Sequence, residues 1–177
     1  MSYRTLAYLY GGIPIELEEV SSPKNNYTRA SKEEVLAQAE ADVLFAAQNL
    51  EDIKAVKDGE ISSAAAYHLL SEIYLAEGKN QEAVDAASKV IGNPALALMK
   101  NRFGARMTEP GDVYWDLFRK NNQNRGAGNT EGIWVIQFDT NVPGGGSSTA
   151  TLKLTGNYML ERHFVPMVRD VKLPVNG

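Results

Sequence analysis

The sequence predicts a mainly α fold, made of antiparallel helical hairpins joined by long loops, with one or two short strands. Three observations carry this reading. Apolar residues recur every three or four positions over 31–50 and 62–91, the spacing of one helix face. Capping residues open these stretches and glycines close two of the helices. The break between the last two helices is only a few residues, which forces neighbouring helices to pack antiparallel.

In chain order, Tyr3, Leu6, Ala7, Leu9 and Tyr10 before Gly11-Gly12 read as the end of a helix stopped by glycine. The run Gly12-Ile13-Pro14-Ile15-Glu16-Leu17 reads as extended, because proline fixes its own φ and restricts the residue before it. A polar loop follows to about Ala30. Ser31 with Glu34 has capping-box spacing, so a long helix begins there and aligns Val35, Leu36, Ala39, Val43, Ala46, Ala47 and Leu50. After the charged connection Lys57-Asp58-Gly59-Glu60, Ser62 or Ser63 opens a helix running to about Glu77, with Gly78 just past its end. Ala66, Leu69, Leu70, Ile73, Tyr74 and Ala76 leave it a narrow polar strip around His68, Ser71 and Glu72, as expected for a helix sandwiched between others. Asn80 to Ile91 supplies its antiparallel mate through Ala83, Val84, Ala87, Val90 and Ile91.

That hairpin resembles one tetratricopeptide repeat in its placement of Tyr67, Leu70, Tyr74, Gly78, Ala83 and Asn93-Pro94, although Ser71 and Ala87 depart from the pattern. One such unit cannot bury both faces, so the two preceding helices are its expected neighbours. Downstream, 112–119 reads as a short helix, and Gly132-Ile133-Trp134-Val135-Ile136-Gln137-Phe138 as a strand. From Asp139 onward loops dominate. The whole, 1–177, is expected to be a single domain segment, with a helical scaffold over 1–95 and a loop-rich part over 96–177 carrying a short strand near 132–139.

Composition narrows the function classes. With 177 residues and 44% hydrophobic content the chain is long enough to bury a sizeable core. A net charge of -4 gives no electrostatic footprint for a phosphate backbone, so nucleic acid is not an expected partner. No apolar run reaches the ~20 residues that span a bilayer. The absence of cysteine removes disulfides, thiolate nucleophiles, cysteine metal sites and a lipidated cysteine from this chain.

Candidate chemistry is sparse. His68 and His163, the only histidines, form no metal pattern and flank no nucleophile elbow. The pairs Glu18-Glu19 and Glu51-Asp52 are adjacent in sequence, which does not set two acids across one substrate. Gly144-Gly145-Gly146 lacks a lysine at phosphate-loop spacing. No enzyme, no metal and no cofactor is therefore expected. Aromatic residues are the better lead, because sugar rings stack their C–H faces on indoles while amides and Arg fix hydroxyls. Trp134 reads as strand core. The candidate ligand contacts are Trp115, in a short helix, and Asn122, Gln123, Asn124 and Arg125 in the polar loop after it.

The order of segments is more specific than any one of them. Tyr-Gly-Gly-Ile-Pro-Ile at 10–15, the capped helix, the Ala-Ala-Ala-Tyr hairpin at 64–67, Asp-Val-Tyr-Trp-Asp-Leu-Phe at 112–118, Asn-Thr-Glu-Gly-Ile-Trp-Val-Ile-Gln-Phe at 129–138 and Gly156 to Arg162 together resemble the SusD/RagB family. The resemblance implies a non-catalytic, surface-exposed outer-membrane lipoprotein. Such a protein captures an oligosaccharide and hands it to a TonB-dependent, SusC-like outer-membrane transporter, docked through the helical scaffold. The chain is shorter than such proteins and looks like an internal segment. It carries neither a signal sequence nor the lipidated cysteine, so membrane attachment would come only through an anchor absent from it. The alternative is a helical-repeat module that binds a protein and has no carbohydrate site.

Overall fold

A computed structural model describes residues 2–137, and those up to Val135 form one compact unit. Five helices follow in order: α1 (Ser2–Tyr10), α2 (Lys32–Asn49), α3 (Ser63–Glu77), α4 (Asn80–Ile91) and α5 (Val113–Leu117), then a single 3-10 turn at Arg125–Ala127. α3 packs on both α2 and α4, and α1 packs on α2. The helical hairpins read from the sequence are thus the architecture.

Local chemistry accounts for each boundary. The capping box at α2 is complete: Glu34 N–H donates to Ser31 Oγ at 3.1 Å and Ser31 N–H to Glu34 Oε2 at 2.7 Å, which holds the Glu34 carboxyl below its usual pKa. Ser62 occupies the N-cap of α3 without a side-chain cap bond. Gly78 ends α3 at φ 77°, a left-handed conformation that costs glycine nothing. α4 starts at Asn80, so the hairpin closes through Gly78 and Lys79. The Lys79 ammonium reaches Glu40 on α2 at 2.5 Å and Glu77 on α3 at 3.1 Å, tying the turn to the neighbouring helix.

The core joins Ala39, Val43 and Ala47 of α2, Ala66, Leu70, Ile73 and Tyr74 of α3, and Ala83 and Ala86 of α4. The many alanines let helix axes approach closely, and Leu70 and Ile73 fill the space between them. Such a side chain contributes about 1.5–3 kcal/mol by leaving water. On α4 the inward positions are Ala83, Ala86 and Val90, whereas Val84 and Ile91, expected inside, are exposed. A second cluster, Ala7, Val35 and Leu36 with Tyr3, Ile13 and Ile15, seats α1 and the extended segment against α2. There the Tyr3 hydroxyl donates to Glu16 O at 2.7 Å and accepts from Glu16 N–H at 2.8 Å. Arg29 adds bonds to the carbonyls of Gly12 and Tyr10.

The strand expected near 132–139 does not form over 132–137, where no strand is assigned and Ile133 lies in a bend. β-branched and aromatic residues favour a strand, but a strand also needs a neighbouring backbone to pair with. Phe138 and Asp139, His163, Gly144–Gly146 and the 156–162 stretch lie outside the described residues. No helix among the described residues is long and apolar enough to cross a membrane.

Candidate functional site

The segment from Asn93 to Val135 is built around a buried carboxylate. Asp116, fully buried, accepts from Arg102 Nε at 2.5 Å and Nη2 at 3.1 Å and from Phe103 N–H at 3.2 Å. The Arg102 guanidinium holds the Asp116 carboxyl below its ordinary range. Arg102 also donates to the carbonyls of Glu109, Gly111 and Arg106, so one ion pair ties the 106–111 loop to α5. A buried charge is tolerable only when paired and hydrogen-bonded in this way.

Asn122 lies 2% exposed against that ion pair. Its amide donates to Asp116 O at 3.0 Å and Phe103 O at 3.4 Å. The inward turn needs φ 72° at Asn121 and a glycine opposite, for a Cβ on Gly104 would sit 2.1 Å from Asn122 Oδ1. Asn122 therefore holds the loop from inside and is not placed to touch a ligand. Asn129 completes the frame. Its amide donates to the carbonyls of Asn122 and Gln123, and its Oδ1 accepts from Glu131 and Gly132 N–H.

This frame presents Gln123, Asn124 and Arg125 at a small open cavity of about 30 Å³. The opposite wall is the α2–α3 connection, Ile53 and Val56 to Glu60, and the floor continues into the cluster of Ile53, Ala64 and Ala95 with Leu96 and Ile133. Trp134 lines the same cavity. Its indole N–H donates to Gly59 O at 3.1 Å, and the residue is 37% exposed. Arg125 donates through Nη2 to Ala95 O at 2.9 Å, while its Nη1 is buried without an acceptor. Lys57, Asp58 and Glu60 add charges of both signs, and Glu60 Oε2 is engaged by Lys57 N–H at 2.8 Å.

Trp115 stands apart from this group. It is 46% exposed on α5, beside an exposed Tyr114–Phe118 edge-to-face pair with ring centroids 5.0 Å apart. The Arg119 guanidinium lies 3.5 Å from the Trp115 ring centroid and occupies that face. Its edge is pressed on Gly111, where a Cβ would come within 2.0 Å of Trp115 Cε3. Of the five expected contacts, the fold thus gathers Gln123, Asn124 and Arg125. Trp134, read as core, is the aromatic it places with them. No local sequence pattern announced this placement, because the backbone that holds the indole, Gly59, lies 75 positions away.

Other candidates have plainer roles. His68 is exposed on the polar strip of α3. Asp52 accepts from Lys54 N–H and the Asn93 amide, which lower its carboxyl pKa and shape a turn. No group of three or more His, Asp or Glu among the described residues is arranged to hold a metal ion.

No family model and no curated protein matches the chain. Solved structures do. The crystal structure of a SusD superfamily protein from Bacteroides vulgatus is 26% identical, covers 75% of this chain and 25% of its own, and superposes with a TM-score of 0.59. This chain is SusD-like. A SusD-like carbohydrate binding protein from Bacteroides fragilis matches 77% of the SusD-like chain and 25% of its own at 20% identity and a TM-score of 0.64. A second SusD-like protein of that species matches 81% and 26% at 17% identity and a TM-score of 0.61. At those lower identities the likeness is one of fold. The SusD-like chain spans about a quarter of the length of each of these structures.

Proposed function

We propose that this SusD-like chain is the scaffold and part of the ligand site of a non-catalytic protein that binds oligosaccharide and delivers it to a TonB-dependent, SusC-like transporter. The action would be at the surface of the outer membrane. Helices α1–α4 serve as the docking scaffold, and attachment comes through a lipid anchor outside these residues. One observation carries the reading. In a SusD-like fold, a half-exposed indole fixed by Gly59 stands beside Gln123, Asn124 and Arg125 at one open cavity. An apolar ring face next to convergent hydrogen-bonding groups is what a sugar requires. The proposed contacts are Trp134, Gln123, Asn124 and Arg125, and Asn122 holds the loop that carries three of them.

Titration calorimetry of the full chain against plant, host and microbial oligosaccharides tests this. The expected result is saturable binding to at least one, with no change in the sugar on prolonged incubation. A folded chain that binds none of them, or that cleaves the sugar it binds, refutes the proposal.

A second reading, a helical-repeat module that binds a protein and no sugar, is favoured by a hollow of about 360 Å³ among α1, α2 and α3. It is lined by Arg4, Tyr8, Lys32, Leu36, Glu72 and Leu75 with Ala76. Saturable binding of an oligosaccharide by the folded chain would remove this reading.

A further inference from the structure

We infer that Asn129 is a positioning residue of this site, whose side-chain amide clasps the Gln123–Arg125 loop to the segment carrying Trp134 so that both walls of the cavity face one ligand. This rests on the glycan-binding reading above and adds the residue that assembles the site.

Three observations lead to it. First, Asn129 bonds to both walls. Its Nδ2 donates to Asn122 O at 3.1 Å and Gln123 O at 3.4 Å, where the polar loop begins. Its Oδ1 accepts from Glu131 N–H at 3.0 Å and Gly132 N–H at 3.1 Å, just before Trp134. An amide carries donors and an acceptor together, so a carboxylate or an apolar side chain of this size would release one wall or both. Second, Asn129 is 5% exposed. It acts through the backbone it holds and not by touching a ligand, and a buried amide whose bonds go unmade is costly, which keeps the clasp shut. Third, the loop is shaped to return to it. Ala127 N–H donates to Asn124 O at 3.1 Å and Gly128 N–H to Arg125 O at 2.8 Å, and Gly128 turns at φ 94°. The two walls then lie in contact, for a Cβ on Gly132 would stand 3.6 Å from Gln123 O. Asn122 differs in its reach. Its amide bonds to Asp116 O and Phe103 O, which fixes the loop to α5 and leaves the Trp134 segment to Asn129.

The test is calorimetry of the full chain with cellohexaose, xylohexaose, mannohexaose, maltohexaose and hexagalacturonate, for wild type and Asn129→Asp. The substitution keeps the size and the acceptor but replaces the NH2 donors by an oxygen, so in mild alkali a carboxylate faces two carbonyls and the clasp opens. Binding then draws on the small fraction of chains in which the walls stand together, and the variant should bind the best probe about tenfold or more weakly than wild type. At about pH 5 the introduced carboxyl, whose pKa is raised by burial beside carbonyls, regains a proton that donates to Asn122 O, and the gap should narrow. Taking the ratio to wild type at each pH removes the titration of Asp58 and Glu60, which line the same cavity. A smaller gap in alkali, or one that is the same at both pH values, overturns the inference and leaves glycan binding standing. Failure of every probe with a folded wild type overturns both. If Asn129→Asp does not fold, hydrogen exchange at the Asn129 side-chain amide of wild type decides. A ligand that binds only the clasped form should slow this exchange about tenfold or more at saturation, and unchanged exchange overturns the inference.

Discussion

Replacing Leu70 with alanine probes the helical scaffold at its centre. Leu70 is 2% exposed, in the cluster shared by α2, α3 and α4. Removing roughly three buried carbon groups at ~0.8 kcal/mol each forfeits about 2.4 kcal/mol of transfer free energy. The residual cavity adds to this, because surrounding alanines have no side-chain length with which to fill it, and the sum falls at about 3–4 kcal/mol, inside the range of about 2–5 for such substitutions. In a chain of this size that corresponds to a fall of roughly 10 °C in melting temperature. The internal control lies on the same helix. Leu75 is 61% exposed, so Leu75→Ala should cost less than about 0.5 kcal/mol. Urea unfolding followed by far-ultraviolet circular dichroism measures both. A Leu70→Ala loss below about 1 kcal/mol, or losses of equal size at the two positions, would refute the packing of α3 between α2 and α4.

Other outcomes follow from the same contacts. Ser31→Ala should cost about 1 kcal/mol by removing the acceptor for Glu34 N–H, measured by the same unfolding, and Thr should recover most of it. Gly78→Ala should cost about 1 kcal/mol because φ 77° is unfavourable for a residue with a Cβ. The depressed Asp116 pKa means that its contribution is complete above the unfolded value near 3.8 and is lost as pH falls through the lower folded value. Asp116→Asn should therefore lower stability at neutral pH and narrow its gap to wild type in acid. Glu77, whose pKa burial raises, acts in the opposite sense, so the readout is the difference between wild-type and variant melting curves over pH 2 to 7. A constant gap would show that the Arg102–Asp116 pair contributes nothing that titrates.

The helices were legible because their signals are local. The Ser31–Glu34 box, Gly78 and the apolar repeat of 66, 70, 73 and 74 each act within a turn or two of chain, and each stands where expected. Inward direction on α4 was less legible. Val84 and Ile91 fit the apolar stripe, yet α3 meets the face of Ala83, Ala86 and Val90, where close helix approach favours small residues. The ligand site was partly hidden for a related reason. Asn122 and Arg125 look alike in a polar loop, and what separates them is φ 72° at Asn121, the space at Gly104 and an ion pair 14 residues apart in sequence. Trp134 carries the residue type of a core strand. Its exposure depends on the backbone of Gly59, 75 positions away, which no local pattern reports.

The two tryptophans, Trp115 and Trp134, allow one measurement to test the central claim directly. Each gives one indole N–H signal in a proton–nitrogen correlation spectrum, assigned by Trp115→Phe. On titration with the oligosaccharide that binds, the Trp134 signal should move saturably, at the affinity seen by calorimetry, while that of Trp115 stays in place. Movement of Trp115 alone, or of neither, would contradict a sugar site built on Trp134, Arg125 and the Gln123–Arg125 loop.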